Sequence, residues 1–501
     1  MKGKYGPFFG FAVLVMAAIF TLAACGDSDS GDPTSPSGDD PAKVATPTVS
    51  PAAGVVDAGT EITLSTSTGG AVIRYTIDGT NPTPAAGTVY SASSKPAITA
   101  DTTIKAVAYK DGMTDSDVLT AAYTIPIAIS SLDQLNAISA NAESLSKSYK
   151  LMADIAGLTT PIGMVSGGAL IPFMGGFDGN GHTVTVNITT GLSDPSTGTF
   201  TGLFAGIGGR VHDLKVAGTI NITVTGGGAV FAGGVAGIAL QTASVSNAAS
   251  SVDVSAGGSG SDGSVYAGGV LGLSQQGTVS NVYATGDISA TAGGGAYAGG
   301  VLGVSSGAVS NVYATGGVSA ETSGAKSAYA GGIAGTVSSS GGSVSYAYAT
   351  GSISAKGTGA GIAADEEGQT TIGAGGIAGA ATNAPVRYTV ALNSGVSADD
   401  STSTSPYNNC SYRITSTSGG EVITNGATNY GKADLVPSGG DYGQHEGSDK
   451  EDGEDVSVTG GPLPTPYTAP DQPWWTGTGF SGANWTTVWQ WDSAKGLPVL
   501  R

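Results

Sequence analysis

The feature that most constrains the fold is an internal repeat in the middle of the chain. The segment Phe231–Gly237 reads Phe-Ala-Gly-Gly-Val-Ala-Gly, and related copies follow at spacings of 35, 31, 32 and 44 residues. A unit of this size cannot bury its apolar side chains alone, so successive copies must stack on one another. The later copies are Tyr266–Gly272, Tyr297–Gly303, Tyr329–Gly335 and Gly373–Gly379.

A second unit lies between these copies. Val279–Gly286 reads Val-Ser-Asn-Val-Tyr-Ala-Thr-Gly, and it returns as Val309–Gly316 and, altered, as Val344–Gly351. A third short run, such as Asp287–Ala290, follows each one. Three short strands per repeat predict a right-handed parallel β-helix, with glycines allowing the corners of positive φ. At about 4.8 Å per coil, roughly nine coils would make a rod about 40 Å long.

The repeat also predicts contacts between neighbouring coils. Tyr283 and Tyr313 occupy equivalent positions and are expected to stack, and Asn281 and Asn311 are expected to form a side-chain ladder. The alternative is a disordered stretch rich in Gly and Ser. The regular alternation of apolar residues argues against it.

A helix is predicted before the repeats. Ser131 and Gln134 fit a capping box, and Leu132, Leu135 and Ile138 share one helical face. We expect this helix to cover the open end of the β-helix.

The β-helix domain is predicted to span residues 126–400, and an irregular segment with a Trp-rich cap to span residues 401–501. Within the β-helix, Phe177–His182 reads as a turn that enters a strand at Thr183–Ile188.

The segment 45–125 carries a different pattern. Apolar and polar residues alternate over Ile73–Ile77 and Ile104–Ala108, which is typical of half-buried strands. Asp78–Gly79 and Asp111–Gly112 are tight-turn sequences. Together these signals predict a small immunoglobulin-like β-sandwich.

This segment resembles the chitobiase/β-hexosaminidase C-terminal-type domain. Tyr75–Thr83 is similar to the YTxDGxxPT core of that family, and Ile104–Ala108 with Asp111–Ser116 is similar to its later strand and turn. The resemblance implies an accessory module, used as a spacer or in contact with glycans, without hydrolytic activity. Asp78 is therefore interpreted as a turn residue rather than a catalytic acid.

The repeats resemble the GLUG-motif family. Thr201–Gly206 followed by Val211–Leu214 is similar to its strand pair. Some members of that family are zinc peptidases that cleave immunoglobulin A, and they need two His and a Glu at helical spacing. The three histidines here, His182, His212 and His445, do not form that motif. The peptidase activity is not carried over, and neither a metal nor a cofactor is predicted.

The N-terminus has the parts of an export signal. Lys2 and Lys4 precede the apolar run Phe8–Leu22, and Leu-Ala-Ala-Cys ends at Cys25. This ending resembles the lipobox of bacterial lipoproteins. The resemblance implies that residues 1–24 are cleaved and that Cys25 carries palmitate and other acyl chains. The alternative is an ordinary cleaved signal with an incidental cysteine.

Residues 26–44 are rich in Ser, Gly, Asp and Pro and are predicted to be a disordered linker. The exported chain is expected to be anchored to the bacterial membrane. The acidic residues after Cys25 resemble a surface-export signal, which implies the outer membrane and an outward orientation.

The overall composition limits the partners. The chain has 83 Gly, only 11% charged residues and a net charge of −19, which argues against nucleic acid because phosphate contacts need clustered Lys and Arg. The chain has two cysteines, so lipidation of Cys25 would leave Cys410 without an intramolecular partner. We interpret Cys410 as a small buried residue rather than a reactive thiol.

All five tryptophans lie in the last 28 residues. If exposed, Trp474, Trp475 and Trp485 are candidates for stacking on glycans. If buried, the cluster would plug the end of the β-helix and cover its strand edges. Trp489–Trp491 with the following Gly496–Leu500 resembles the closing segment of GLUG-repeat proteins, which favours the plug.

These features predict a non-catalytic surface lipoprotein that presents a β-helix rod for adhesion. Its expected partners are the membrane, through the lipid, and glycans or host matrix proteins. The alternative is a glycan-binding accessory protein. A β-helix polysaccharide-degrading enzyme is a third class, but it would need clustered carboxylates or metal ligands, and the predicted strands carry mostly Ser, Thr, Ala and Gly.

Overall fold

The protein is described by a computed structural model. It covers residues 41–194, 197–260, 263–324, 326–338, 341–358, 372–381, 384–400, 409–412, 414, 430–431, 454–455, 457–458, 461–462, 488–493 and 497–500. The fold is all-β, with an immunoglobulin-like β-sandwich followed by a parallel β-solenoid. Both predicted architectures are therefore confirmed.

The sandwich is built from short, mostly antiparallel strands around a compact core. Ile62, Ile98 and Ile104 are fully buried there, and the side chain of Tyr123 packs with them. Its strands are Thr48–Ser50, Gly54–Val55, Thr60–Glu61, Thr63–Ser65, Val72–Thr76, Thr88–Val89, Ala97–Ile98, Thr102–Tyr109 and Leu119–Thr124.

Two details of the sandwich differ from the predicted pattern. Ile77 is 58% exposed, because the strand ends at Thr76 and the chain turns away from the core. Val44 is only 2% exposed and packs in the sandwich core. The contacts of the sandwich therefore begin one residue before the predicted start of the domain at residue 45.

Asp78 is a turn residue, as predicted. Its carboxylate accepts hydrogen bonds from the backbone N–H of Thr80 at 3.0 Å and from the Thr80 hydroxyl at 2.6 Å. These bonds hold the pKa of Asp78 below its ordinary value. A general acid would need the opposite shift.

The predicted helix is present at Leu132–Ala137. Ser131 caps it, because its hydroxyl accepts a hydrogen bond from the backbone N–H of Gln134, and the Gln134 side chain accepts one from the Ser130 N–H at 2.7 Å. Leu135 is buried in the solenoid core, so the helix covers the first coils. Two 3₁₀ turns follow, at Ile138–Ala140 and Ser144–Ser146.

The solenoid has three sheets, because each turn contributes a strand or strand pair to every face. The first, which we call the small-residue sheet, has six parallel strands, so about six turns are present rather than the nine expected. Its strands are Phe204–Ile207, Ala236–Ala239, Leu271–Ser274, Leu302–Ser305, Ala334–Val337 and Ala378–Ala381.

The second, which we call the aromatic sheet, carries the aromatic-Ala-Gly-Gly units in register. The rings of Phe231 and Tyr266, for example, stack with centroids 4.9 Å apart. Its strands are Leu192–Asp194, Gly198–Thr201, Val230–Gly233, Val265–Gly268, Ala296–Gly299, Ala328–Gly331, Ile372–Gly375 and Asn409–Tyr412.

The third, which we call the long sheet, runs the full length of the solenoid and carries the Val-Ser-Asn-Val-Tyr-Ala units. Its strands are Ile127–Ile129, Tyr149–Leu151, Ile155–Leu158, Gly176–Asp178, Thr183–Ile188, Arg210–Val224, Ser244–Gly258, Thr278–Ala284, Ile288–Ala292, Ala308–Ala314, Val318–Thr322, Ser343–Ala349, Ile353–Gly357, Val386–Ala391, Val396–Asp400, Tyr430–Gly431 and Glu454–Asp455.

Three two-stranded hairpins complete the described elements. The first packs against the first turns of the solenoid, and the last lies near the C-terminus; we call the latter the C-terminal hairpin. They are Met164–Ser166 with Ala169–Ile171, Ser457–Val458 with Gly461–Pro462, and Trp489–Asp492 with Leu497–Leu500.

The glycines of the repeat have a different role from the one expected. Gly300 does not adopt positive φ, but a Cβ there would overlap the carbonyl oxygen of Gly332 on the next turn and the methyl group of Ala314. These glycines therefore allow close approach between coils. Within the described part of the chain, no helix is long and apolar enough to cross a membrane.

Candidate ligand-binding groove

The long sheet bends once in every turn, and the bend is made by a residue of positive φ. Asp213, Asn247, Asn281 and Asn311 have φ values of 53°, 50°, 55° and 53°. Asn and Asp tolerate this left-handed conformation better than other L-residues. Because the bends stack in register, the outer surface of the long sheet becomes a groove that runs along the solenoid.

An amide ladder lines this groove. The Asn281 side-chain N–H donates to the Asn247 side-chain oxygen at 3.0 Å, and the Asn247 N–H donates to the Asp213 carboxylate at 3.1 Å. The ladder therefore exists, but its partners differ from the expected Asn281–Asn311 pair. Asn311 instead accepts a hydrogen bond from the indole nitrogen of Trp489 at 3.2 Å.

A charged cluster closes one end of the groove. Lys150, Asp178 and His212 occupy equivalent positions on successive rungs of the long sheet. The Lys150 ammonium lies 3.4 Å from Asp178 and 2.7 Å from Asp57 of the sandwich, so it also joins the two domains. His212 Nδ1 lies 2.7 Å from the Asp213 carboxylate and 3.8 Å from Asp178.

These contacts set the protonation of the cluster. Burial raises the pKa of Asp213, but the hydrogen bonds from His212 and Asn247 outweigh burial and leave that pKa below its ordinary value. The hydrogen bond to Asp57 raises the pKa of Lys150. The shifts favour a protonated Lys150 and an ionised Asp213.

The same cluster has the residue types of a metal site. Ligand atoms of Asp178, His212 and Asp213 lie within 4.8 Å of one another. The Lys150 ammonium, however, already lies against Asp178 and supplies the positive charge that a cation would supply. The arrangement is best described as an ion-pair network that fixes the shape of the groove end.

A column of tyrosines lies beside the ladder. The ring of Tyr283 stacks on Tyr313 at 4.9 Å with an interplanar angle of 2°, and Tyr313 stacks on Tyr348 at 5.0 Å and 6°. The predicted stacking of Tyr283 and Tyr313 is therefore confirmed. In the direction of the charged cluster, the same column continues as Ala249 and then Lys215.

The C-terminal hairpin forms a wall of the groove. Trp489 is fully buried against the rings of Tyr313 and Tyr348, with centroids 6.5 and 6.3 Å away. The Tyr348 hydroxyl donates to the carbonyl oxygen of Pro498 at 2.7 Å. Trp489 does not plug the interior of the β-helix, because it packs with outward-facing side chains on the flank of the long sheet, from Tyr313 and Tyr348 to Val390 of the last full turn.

The other sequence-predicted site residues are placed as follows. Cys25, Trp474, Trp475 and Trp485 lie outside the described residues. Cys410 lies on the outermost strand of the aromatic sheet, in register with Gly373.

The groove has a volume of about 660 Å³. It combines the amide ladder, the charged cluster, the free end of the tyrosine column and two apolar side chains of the C-terminal hairpin. Its lining residues are Lys150, Asp178, Asn180, Gly181, Asp213, Leu214, Lys215, Asn247, Ala248, Ala249, Asn281, Tyr283, Val488 and Leu500.

Sequence reasoning did not identify this site. The sequence indicates Asp178 only as a turn residue and Asp213 only as part of a strand pair, because the two residues are separated by a full coil. One sequence feature does indicate the site. Asp213, Asn247 and Asn281 lie at equivalent positions of successive coils, so their polar side chains form one column.

Two family models match segments of the chain. Residues 51–120 match the family model of the chitobiase/beta-hexosaminidase C-terminal domain, and residues 263–289 match that of the GLUG motif. No curated protein matches the chain. A solved structure of a proposed immunoglobulin A1 protease from Bacteroides ovatus aligns with 75% of this chain and 92% of its own, at 16% identity and a TM-score of 0.40.

The two family matches fall on the two domains of the fold. The first lies on the sandwich, and the second covers one turn of the solenoid and the start of the next strand in the long sheet. The chain is therefore an all-β protein in which the sandwich matches the chitobiase/beta-hexosaminidase C-terminal domain model and one turn of the β-solenoid matches the GLUG-motif model.

Proposed function

We propose that the chain is a non-catalytic surface lipoprotein whose solenoid binds extracellular carbohydrate chains in the groove of the long sheet. The observation that carries this proposal is the groove itself. A line of amide groups and charged side chains runs beside the free end of a tyrosine stack. The hydroxyl groups of a sugar can hydrogen-bond to the amide and charged groups, and its apolar C–H face can stack on the tyrosine ring.

The state of the carboxylates supports binding rather than hydrolysis. Glycoside hydrolysis uses one carboxyl group with a raised pKa as acid and a second as nucleophile or base. Here Asp178 is paired with Lys150, and hydrogen bonds from His212 and Asn247 hold Asp213 in its ionised form. Both carboxylates therefore serve as fixed acceptors.

The membrane anchor is proposed from the N-terminal sequence alone. A lipid on Cys25 would tether the exported chain to the bacterial membrane, and the sandwich would separate the solenoid from that surface. Anchored in the outer leaflet, the groove would meet glycans or glycosylated matrix proteins outside the cell. An adhesive role follows from that placement. The net charge of −19 and the content of the groove do not favour nucleic acid.

The anchor is tested by expressing the full chain in a bacterial host with labelled palmitate. The label should appear on the native protein and be lost in Cys25→Ser, with the variant released from the membrane fraction. Palmitate on neither protein would contradict the anchor, and the groove would then belong to a freely secreted protein.

Binding is tested on arrays of glycans and of matrix proteins, with a variant that fills the groove. Ala249 faces outward at the free end of the tyrosine column, so Ala249→Trp should occupy the groove and abolish binding. Ser289→Trp, on an outward position beyond the groove, is the matched control and should bind normally.

Three outcomes would overturn the proposal. They are binding to nothing on either array, binding that Ala249→Trp leaves unchanged, and turnover of a polysaccharide that Asp213→Asn abolishes. The last would place the chain among the enzymes.

A further inference from the structure

The tyrosine column ends at Tyr283, because the residue in register with it on the neighbouring strand is Ala249. We call the level of Ala249 in this column the Ala249 rung. One face of the Tyr283 ring stacks on Tyr313, and its other face is turned toward the rung of Ala249, where the side chain is a single methyl group. Ala249 and Tyr283 both line the groove and are partly exposed. A flat six-membered ring placed above Ala249 would continue the stack at the spacing that the tyrosines already use.

The dimensions of this rung fit one sugar ring. Neighbouring strands are spaced by about 4.8 Å, so the next side chain of the column, at Lys215, is roughly 10 Å from Tyr283. A pyranose in van der Waals contact with the Tyr283 ring lies about 4 Å from it, at the level of Ala249. Its opposite face is then turned toward the next strand, where the long, flexible side chain of Lys215 can reach a carboxylate at the edge of the sugar ring.

Lys215 is the cation in the groove that has no acidic partner. Among the described residues it forms no ion pair, whereas Lys150 contacts both Asp57 and Asp178. Asp154, the nearby carboxylate on the far side of Lys215, is held by the backbone N–H of Thr183 at 2.9 Å and by His182 at 3.2 Å.

We propose that this rung is a subsite for a hexuronic acid residue of an acidic polysaccharide. The pyranose stacks on the open face of Tyr283, its carboxylate pairs with Lys215, and its hydroxyl groups bond to the amide ladder at Asn247 and Asn281. This inference rests on the proposed function, and it names the ligand class of that groove. A carboxylate on the sugar gives the Lys215 ammonium an ion-pair partner, which it lacks among the described residues and which a neutral sugar would not supply.

The experiment is calorimetric titration of the full chain with tri-galacturonic acid, alongside its methyl ester and maltotriose as uncharged ligands. The native protein should bind the acid at least about tenfold more tightly than either uncharged ligand. Lys215→Met should weaken binding of the acid about tenfold and leave the ester unchanged. Lys326→Met, an exposed lysine outside the groove, is the matched control.

Tyr283 is tested in the same titration with a pair of variants. Tyr283→Ala should weaken binding of the acid and of the ester alike, since the stacking face is lost. Tyr283→Phe keeps that face and should bind within about twofold of the native chain. Thermal unfolding of each variant identifies any loss of binding that comes from loss of fold.

Two results separate this inference from the proposed function. If Ala249→Trp blocks a neutral glycan and Lys215→Met has no effect on any ligand, the groove binds glycans and the uronate subsite is wrong. If no sugar binds the native chain, the groove proposal fails as well. Equal affinity for the acid and its ester would also overturn the uronate assignment.

Discussion

The indole nitrogen of Trp489 donates a hydrogen bond to the side chain of Asn311, 3.2 Å away and 178 positions earlier in the chain. This bond joins the C-terminal hairpin to a bend of the long sheet. It also takes Asn311 out of the amide ladder, which runs from Asn281 toward Asp213 instead. The groove therefore has one end defined by the hairpin and the other by the charged cluster.

Removal of the indole should detach the hairpin. Trp489→Ala deletes a fully buried side chain packed on Tyr313 and Tyr348, and such a change costs about 3–5 kcal/mol. The loss should appear as rapid hydrogen exchange of the Trp489–Asp492 and Leu497–Leu500 amides, with the solenoid core still protected. Gln490→Ala, on the exposed side of the same strand, should exchange like the native chain. Equal protection in both variants would contradict the hairpin's dependence on this side chain.

The stacked tyrosines predict unfolding in alkali. Burial raises the pKa of Tyr297, Tyr313 and Tyr348 above the ordinary value of 10.0. The unfolded chain ionises first as the pH rises, so the contribution of these phenols to stability is constant below about pH 10 and falls above it. Denaturant unfolding at a series of pH values should show this decline, with phenolate absorbance appearing together with unfolding.

Tyr313→Phe is the control for that assignment. It removes one buried phenol and keeps the stacked ring, so the decline in stability above pH 10 should become shallower. Phenolate absorbance that develops fully while the protein remains folded would show that the tyrosines titrate freely.

Neighbouring coils lie too close together at Gly300 to accommodate a methyl group. A Cβ there overlaps the carbonyl of Gly332 and the methyl of Ala314, so Gly300→Ala should destabilise the solenoid by about 1–3 kcal/mol. Gly227→Ala is the matched control, because nothing lies within 4 Å of its Cβ. Chemical denaturation of both variants provides the comparison. Equal stabilities would mean that the coils can separate without cost.

Two substitutions at Asn247 should separate the effect of its backbone conformation on stability from the effect of its side-chain hydrogen bonds. Asn247→Ala and Asn247→Gly both remove the hydrogen bonds to Asp213 and Asn281. Glycine adopts the φ of 50° freely, whereas alanine is strained there by about 1 kcal/mol. Asn247→Gly should therefore be the more stable variant by that amount in denaturant titration. The reverse order would show that the bend relaxes when the ladder is lost.

The sequence predicted those features that depend on local periodicity or on equivalence between repeats. Alternation in Ile104–Ala108 indicated a buried strand, and the Ser131 cap indicated a helix. The stacking of Tyr283 on Tyr313 followed from their equivalent positions, because parallel in-register coils place equivalent residues one above another. The repeats do not indicate which residue at each bend adopts positive φ. The sequence therefore predicts glycine at these bends, whereas the structure has asparagine at Asn247, Asn281 and Asn311.

The sequence by itself determined the two architectures, the order of the domains and the columns of like residues. The tertiary structure decided what lies next to those columns. Lys150 meets Asp57 and Asp178 only because the sandwich packs beside the first coils, and Trp489 covers Tyr313 only because a distant hairpin returns to the flank. Periodicity encodes contacts between equivalent positions of neighbouring coils, but contacts between non-repeating segments depend on how the whole chain packs, and the groove is made at those contacts.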